Sequence, residues 1–211
     1  MQNLLDEFNA TPAENKKKRA DLYQQYLVAH LYGGIHEGLP PVRNEMATVR
    51  IVGREGVPNP EVSDTWNYID TTSDEWFFKM NNYKTARVHG PLRLIIPGTL
   101  RPIIAKWLEI NATSSYFLIV PTTITADGGP KQMTPAYLSR YLARACAGDA
   151  KAKVGSRLLR KNFMSTKFGA DLQERQETAA RMGHSVSVAM LHYCRKRQRD
   201  ANNTANNNNN A

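Results

Sequence analysis

Three residues in the last third of the chain have the types and order that phosphoryl-transfer chemistry needs. Arg160 stands in Leu158-Leu159-Arg160-Lys161. His184 follows 24 residues later in Met182-Gly183-His184-Ser185, and Tyr193 nine residues after that in Leu191-His192-Tyr193-Cys194. A guanidinium fork and an imidazole can hold the oxygens of a phosphodiester, and a phenol oxygen placed beside them can attack the phosphorus. A free phenol has a pKa of about 10 and reacts poorly at neutral pH, so it must be activated by placement and nearby cations. One tyrosine among nine would ordinarily be a core residue. What singles out Tyr193 is its place after Gly183-His184, with Arg195, Lys196, Arg197 and Arg199 following directly. His192 reads as structural or as a minor phosphate contact.

Composition sets the frame for that chemistry. The chain has 211 residues, enough for one domain with a sizeable core. It is 41% hydrophobic and 22% charged, the balance of a soluble globular protein. With 28 Lys and Arg against 19 Asp and Glu it carries a net charge of +9, which favours a polyanionic partner, nucleic acid ahead of a membrane surface. No apolar run approaches membrane-spanning length, and the start, Met1-Gln2-Asn3-Leu4, is not a signal peptide. Cys146 and Cys194 are too few for a disulfide framework or a zinc site, so the expectation is an intracellular, reduced protein with no metal or cofactor.

The elements that must position these residues follow from patterning. Residues 1–10 read as a leader or linker, 11–200 as one domain, and the Asn-rich stretch 201–211 as a disordered tail. Thr11-Pro12-Ala13-Glu14 has the form of a capping box, opening a helix to about Tyr32 that Gly33-Gly34 ends. Lys16, Lys17, Lys18 and Arg19 make its first turn basic, a solvated face or a backbone-phosphate contact. A strand-like stretch at 47–52 and extended segments near 65–69, 75–80 and 92–96 predict a small antiparallel sheet, with Asn81-Asn82 as a turn and Tyr83-Lys84-Thr85 just past its tip. From Thr99 on the pattern is mostly helical: 102–110, then 135–147 behind a Thr134-Pro135 cap, then 156–168, 171–182 and about 187–199. Gly169 and Gly183 are the stops between the last three.

Taken together, these features resemble the catalytic domain of tyrosine recombinases, the phage-type integrases, over roughly residues 20 to 195. The most specific part is Arg160 through Tyr193. Pro40-Pro41-Val42-Arg43-Asn44-Glu45 and Asn82-Tyr83-Lys84-Thr85-Ala86 are most similar to the divergent recombinases of large eukaryotic DNA viruses and related mobile elements. The resemblance implies an α+β fold, a mainly α-helical catalytic domain with a small antiparallel sheet, of the kind shared with type IB topoisomerases. It implies that Tyr193 forms a 3′-phosphotyrosyl link and frees a 5′-hydroxyl. His184 would bond a non-bridging oxygen or manage the tyrosine proton. Arg43 and Arg160 would form the arginine pair that stabilises the transition state, with Arg50 and Arg54 as rivals for Arg43. Glu45 follows Arg43 by two, where many relatives space the acid by three, and would buttress that arginine. Lys84 would protonate the departing 5′-oxygen, with Lys79 as its rival. Arg157 stands where the family usually has histidine or lysine; it can bind phosphate but is a poor proton shuttle. Arg157, Lys161, Arg195 and Lys196 are the expected phosphate contacts.

The implied partner is double-stranded DNA, bound with strong salt dependence. The family commonly acts as a tetramer on two duplexes, which makes a monomer or weak oligomer the expectation without DNA, in the host nucleus or cytoplasm if the chain is virus-encoded. Relatives usually carry an N-terminal helical domain, whereas only one long helix is expected before Arg43. The chain therefore reads as an excised catalytic domain or an unusually small protein. A type IB topoisomerase-like enzyme, a telomere-resolving enzyme and a non-catalytic DNA-binding module are the competing readings.

Overall fold

The computed structural model describes residues 1–36, 39–54, 65–126, 128–147, 154–167, 172–185 and 187, with 147 and 172–175 described by backbone only. Among the described residues the chain is α+β: seven α-helices, a four-strand mixed sheet and a two-strand antiparallel sheet. No helix among them is long and apolar enough to cross a membrane.

Residues 1–10, expected as a leader or linker, form helix α1 (Gln2–Ala10), whose Phe8 is buried edge-on against Tyr23. Thr11 closes α1 instead of opening the next helix: its hydroxyl donates to the Glu7 carbonyl at 2.7 Å. Helix α2 (Lys16–Tyr32) begins one turn later, at Asn15, whose side chain accepts from the Lys18 N–H. The reason lies in Arg19, which donates to the Phe8 and Thr11 carbonyls at 3.1 and 2.6 Å and stacks on the Phe8 ring. Lys18 pairs with Glu7, so half of the basic first turn ties α1 to α2.

Helix α2 is the spine of the molecule. Leu22, Tyr23, Gln24, Leu27, Val28, Leu31 and Tyr32 are all buried, which covers most of its circumference, as expected of a helix inside a core. A buried Gln24 joins it to strand β5 (Ile119–Ile124) by donating to the Ile119 carbonyl at 3.0 Å and accepting from the Ile119 N–H at 2.9 Å. Helix α4 (Arg101–Ile110) brings in Trp107, fully buried, with its indole N–H on the Phe117 carbonyl. Helix α5 (Pro135–Ala147) opens behind Thr134, whose hydroxyl accepts from the Tyr137 N–H as the sequence predicts.

The main sheet has the order β1 (Arg50–Ile51), β2 (Tyr68–Asp70), β3 (Phe77–Met80), β4 (Leu92–Ile95). Here β2, β3 and β4 are antiparallel, but β1 and β2 run parallel, so the expected all-antiparallel sheet is corrected to a mixed one. Direction is invisible in a two-residue strand, because both pairings have the same side-chain alternation. Buried Asn67, at the entry to β2, donates to Thr48 Oγ1 and to the Asn82 carbonyl and accepts from the Asn82 N–H. One amide thus locks the turn after β3 to the 3₁₀ helix Asn44–Thr48. A short helix α3 (Ala86–His89) lies between that turn and β4. The hairpin of β5 with β6 (Pro130–Gln132) is an element the sequence hides, since Pro121 interrupts the strand pattern. Helices α6 (Ser156–Lys167) and α7 (Leu172–Arg181) complete the described fold.

Candidate functional site

The site is assembled from four separate pieces of chain. Arg43 precedes the 3₁₀ helix in extended backbone, held by the Tyr32 hydroxyl, which donates to its carbonyl at 3.0 Å. Tyr32 is completely buried and its hydroxyl is held well above its ordinary pKa by burial, so it serves as a strut and not as a nucleophile. Arg160 sits on α6, 4% exposed, with its Nε on the Ser156 carbonyl one turn back.

His184 is delivered by the end of α7. The His184 N–H donates to the Ala179 carbonyl and the Gly183 N–H to the Ala180 carbonyl, the paired bonds of a Schellman cap. That cap needs a left-handed residue, and Gly183 supplies it at φ +68°. The chain therefore turns sharply and buries the His184 ring at 5% exposure.

There two guanidinium groups meet one imidazole. Arg43 Nη2 lies 2.9 Å from His184 Nδ1 and 3.1 Å from Nε2, and Arg160 Nη1 lies 3.3 Å from Nε2. Guanidinium nitrogens only donate, and a neutral imidazole accepts at one ring nitrogen only, so one of the two ring nitrogens takes the guanidinium N–H and the other contact is not a hydrogen bond. Among the described residues Arg43 pairs with no carboxylate. Its Nε is buried without a hydrogen-bond partner there. A buried donor left unpaired is costly, and an anion is the ligand that would satisfy it.

Lys84 is exposed, but the chain on both sides of it is anchored to this cluster. Its own N–H donates to Glu45 Oε1 at 3.0 Å. The next residue, Thr85, donates its hydroxyl to the Gly183 carbonyl. Tyr83 packs on Gly183 and donates its hydroxyl to the Gly90 carbonyl at 2.7 Å, and burial pushes its pKa up. Glu45 therefore holds the lysine hairpin; among the described residues no ion pair joins it to Arg43, which corrects the expected buttress.

The structure thus brings together Arg43, Arg160 and His184, with Lys84 tied to them through its neighbours. Arg157 and Lys161 lie on α6 either side of Arg160, Arg157 exposed and Lys161 half-buried, and neither bonds the cluster. Tyr193, Arg195 and Lys196 lie outside the described residues, as does most of the expected helix at 187–199. The rivals are engaged elsewhere: Arg50 stacks on Trp66, and Arg54 donates to the Leu108 carbonyl. Arg144 pairs with Asp21. Sequence reasoning missed Tyr32 and Thr85 as positioning residues. Thr85 had a signal, its place beside Lys84; Tyr32 had none, since only the fold brings its hydroxyl to Arg43.

Set against known protein families, curated proteins and solved structures, the chain shows no significant match to any of them.

Proposed function

We propose that the chain is a DNA strand-transfer enzyme of the tyrosine recombinase type. The observation that carries this reading is the convergence of Arg43, Arg160 and His184. Arg43 and Arg160 precede His184 by 141 and 24 positions, all three are expected from the sequence to bind one phosphate, and both arginines come within hydrogen-bond distance of the His184 ring. Two guanidinium forks aimed at the equatorial oxygens of a phosphorane-like transition state stabilise the charge that develops there, where lysine would serve less well.

In this mechanism Tyr193 Oη attacks the scissile phosphorus. The Tyr193 O–P bond forms, the phenol proton passes to the neutral imidazole of His184, and the P–O5′ bond breaks. Lys84 gives its proton to the departing 5′-oxygen. The covalent 3′-phosphotyrosyl link conserves the phosphodiester energy until a 5′-hydroxyl of another duplex attacks it and reverses the steps. No metal or cofactor takes part in this scheme. On binding, a phosphate would take over the guanidinium donors that now rest on His184. Duplex DNA is the partner, with exchange between two duplexes requiring assembly of several protomers, commonly four. Arg157 and Lys161, together with Arg195 and Lys196, would contact neighbouring phosphates and make binding fall steeply with salt.

The test is covalent trapping on nicked suicide duplexes drawn from a genomic-fragment pool, in EDTA. A protein–DNA adduct that survives denaturation and disappears in Tyr193→Phe is the expected result. Salt-sensitive DNA binding with no adduct would refute strand transfer and leave a binding module. An adduct accompanied by supercoil relaxation but no joining of two duplexes would assign the topoisomerase-like reaction instead.

A further inference from the structure

A cleft of about 410 Å³ lies beside Glu45, the residue that holds the lysine hairpin. Glu45, Thr48, Trp66, Asn67, Asn82 and Gln132 line it. Glu45 belongs to both places, since the same carboxylate holds the Lys84 N–H. Asn82 lies two residues before Lys84, so the cleft opens beside the lysine hairpin.

Its chemistry is that of a flat plate with polar edges. Trp66 is 37% exposed, and the Arg50 guanidinium stacks on the ring at 3.3 Å from its centroid. Asn67 is spent as wall, bonded to Thr48 and to the Asn82 backbone. The side-chain amides of Asn82 and Gln132 make no hydrogen bond among the described residues, and Glu45 uses only Oε1. Two amides and one carboxylate oxygen with no hydrogen bond among the described residues therefore belong to the lining of a cleft that also contains Trp66, one face of whose ring Arg50 covers. An anion is disfavoured there by Glu45, and an apolar chain would strand the amides. A nucleobase has an apolar face to stack and an edge of donors and acceptors to pair.

We propose that this cleft receives a single nucleobase of the DNA strand whose phosphate Arg43 and Arg160 hold, taken out of the stack beside the phosphate. The inference rests on the strand-transfer reading and adds a base-reading subsite to it. The base stacks on Trp66, and Gln132, Asn82 and Glu45 read its edge. Glu45 can only accept, so it favours a base edge with an exposed exocyclic amino group; thymine, whose one edge donor N3–H lies between two carbonyl oxygens that repel a carboxylate, binds weakest.

The test uses isotope-labelled full-length protein titrated with inorganic phosphate and with each of the four deoxynucleoside 5′-monophosphates at matched ionic strength. The readouts are the Trp66 indole N–H signal, identified among the three tryptophans through Trp66→Leu, and the His184 ring signals. We expect phosphate to move His184 alone. Adenine, guanine and cytosine nucleotides should move both, and bind roughly tenfold more tightly than phosphate. Gln132→Ala should remove most of that preference and leave phosphate binding unchanged. An unmoved Trp66, or nucleotides that bind no better than phosphate while His184 responds to both, would overturn the base subsite and keep the phosphate site. A Trp66 shift with no His184 response would support the base cleft and refute the phosphate site.

Discussion

Gly183→Ala isolates the coupling between the lysine hairpin and the histidine. Gly183 sits at φ +68°, where an alanine costs about 1–2 kcal/mol. A Cβ there would also lie 2.6 Å from Thr85 Oγ1 and 2.6 Å from Tyr83 Cε2, closer than side-chain atoms approach. Relieving those contacts means moving Thr85 off the Gly183 carbonyl, a hydrogen bond of about 1 kcal/mol, and shifting a tyrosine ring fixed at its hydroxyl by Gly90. The sum is roughly 2–3 kcal/mol, or about 5–10 °C in Tm for a chain of this size. Gly90 is the internal control: it has the same φ of +68° but nothing within 4 Å of an added Cβ, so Gly90→Ala carries the conformational cost alone. Urea and thermal unfolding of both variants, with Thr85→Val as a third, measure the difference. Equal losses for Gly183→Ala and Gly90→Ala would refute the claim that the hairpin is docked on the α7 cap.

Gln24→Leu should destabilise the fold by about 2–4 kcal/mol in urea unfolding, because it leaves both the N–H and the C=O of Ile119 buried without partners. The pair His30–His36, joined at 3.0 Å, should make stability depend on pH. Burial, and then His36 and the N-terminal ammonium, lower the His30 pKa from 6.5 to about 4, so the fold keeps His30 neutral where the unfolded chain takes up a proton. Its contribution is complete above pH 6.5, declines as pH falls towards 4 and is level below that. Discounted for partial exposure it is worth ~1–2 kcal/mol, and unfolding at pH 7.0 and 4.5 should show it in the parent chain and far less of it in His30→Gln. Under the proposed function, Arg43→Lys should lower adduct formation by about 10²–10³-fold while leaving Tm nearly unchanged, measured by single-turnover trapping.

Much of the helical framework could be read from the sequence, because caps and helical periods are local. Thr134 caps α5 as expected, Gly33 follows α2, and α4, α6 and α7 lie within a residue or two of their expected bounds. Failures came where a distant residue outvoted a local signal. Thr11 has the form of an N-cap, yet Arg19 and Phe8 together turn it into the end of α1. Glu45 was expected on its near neighbour Arg43 and instead bonds Lys84, 39 residues away.

The sequence alone determined which chemical groups are available and where helices can start and stop: the arginines, the glycine that must be left-handed before His184, the lysine in its turn. Those are properties of single residues and of short spacings. Only the tertiary structure decided that Arg43, Arg160 and His184 meet, that Tyr32 holds the first of them, and that Thr85 ties Lys84 to the third. These are contacts between segments as far as 141 residues apart. They depend on how the buried faces of α2, the sheet and α6 pack together, which no local pattern encodes.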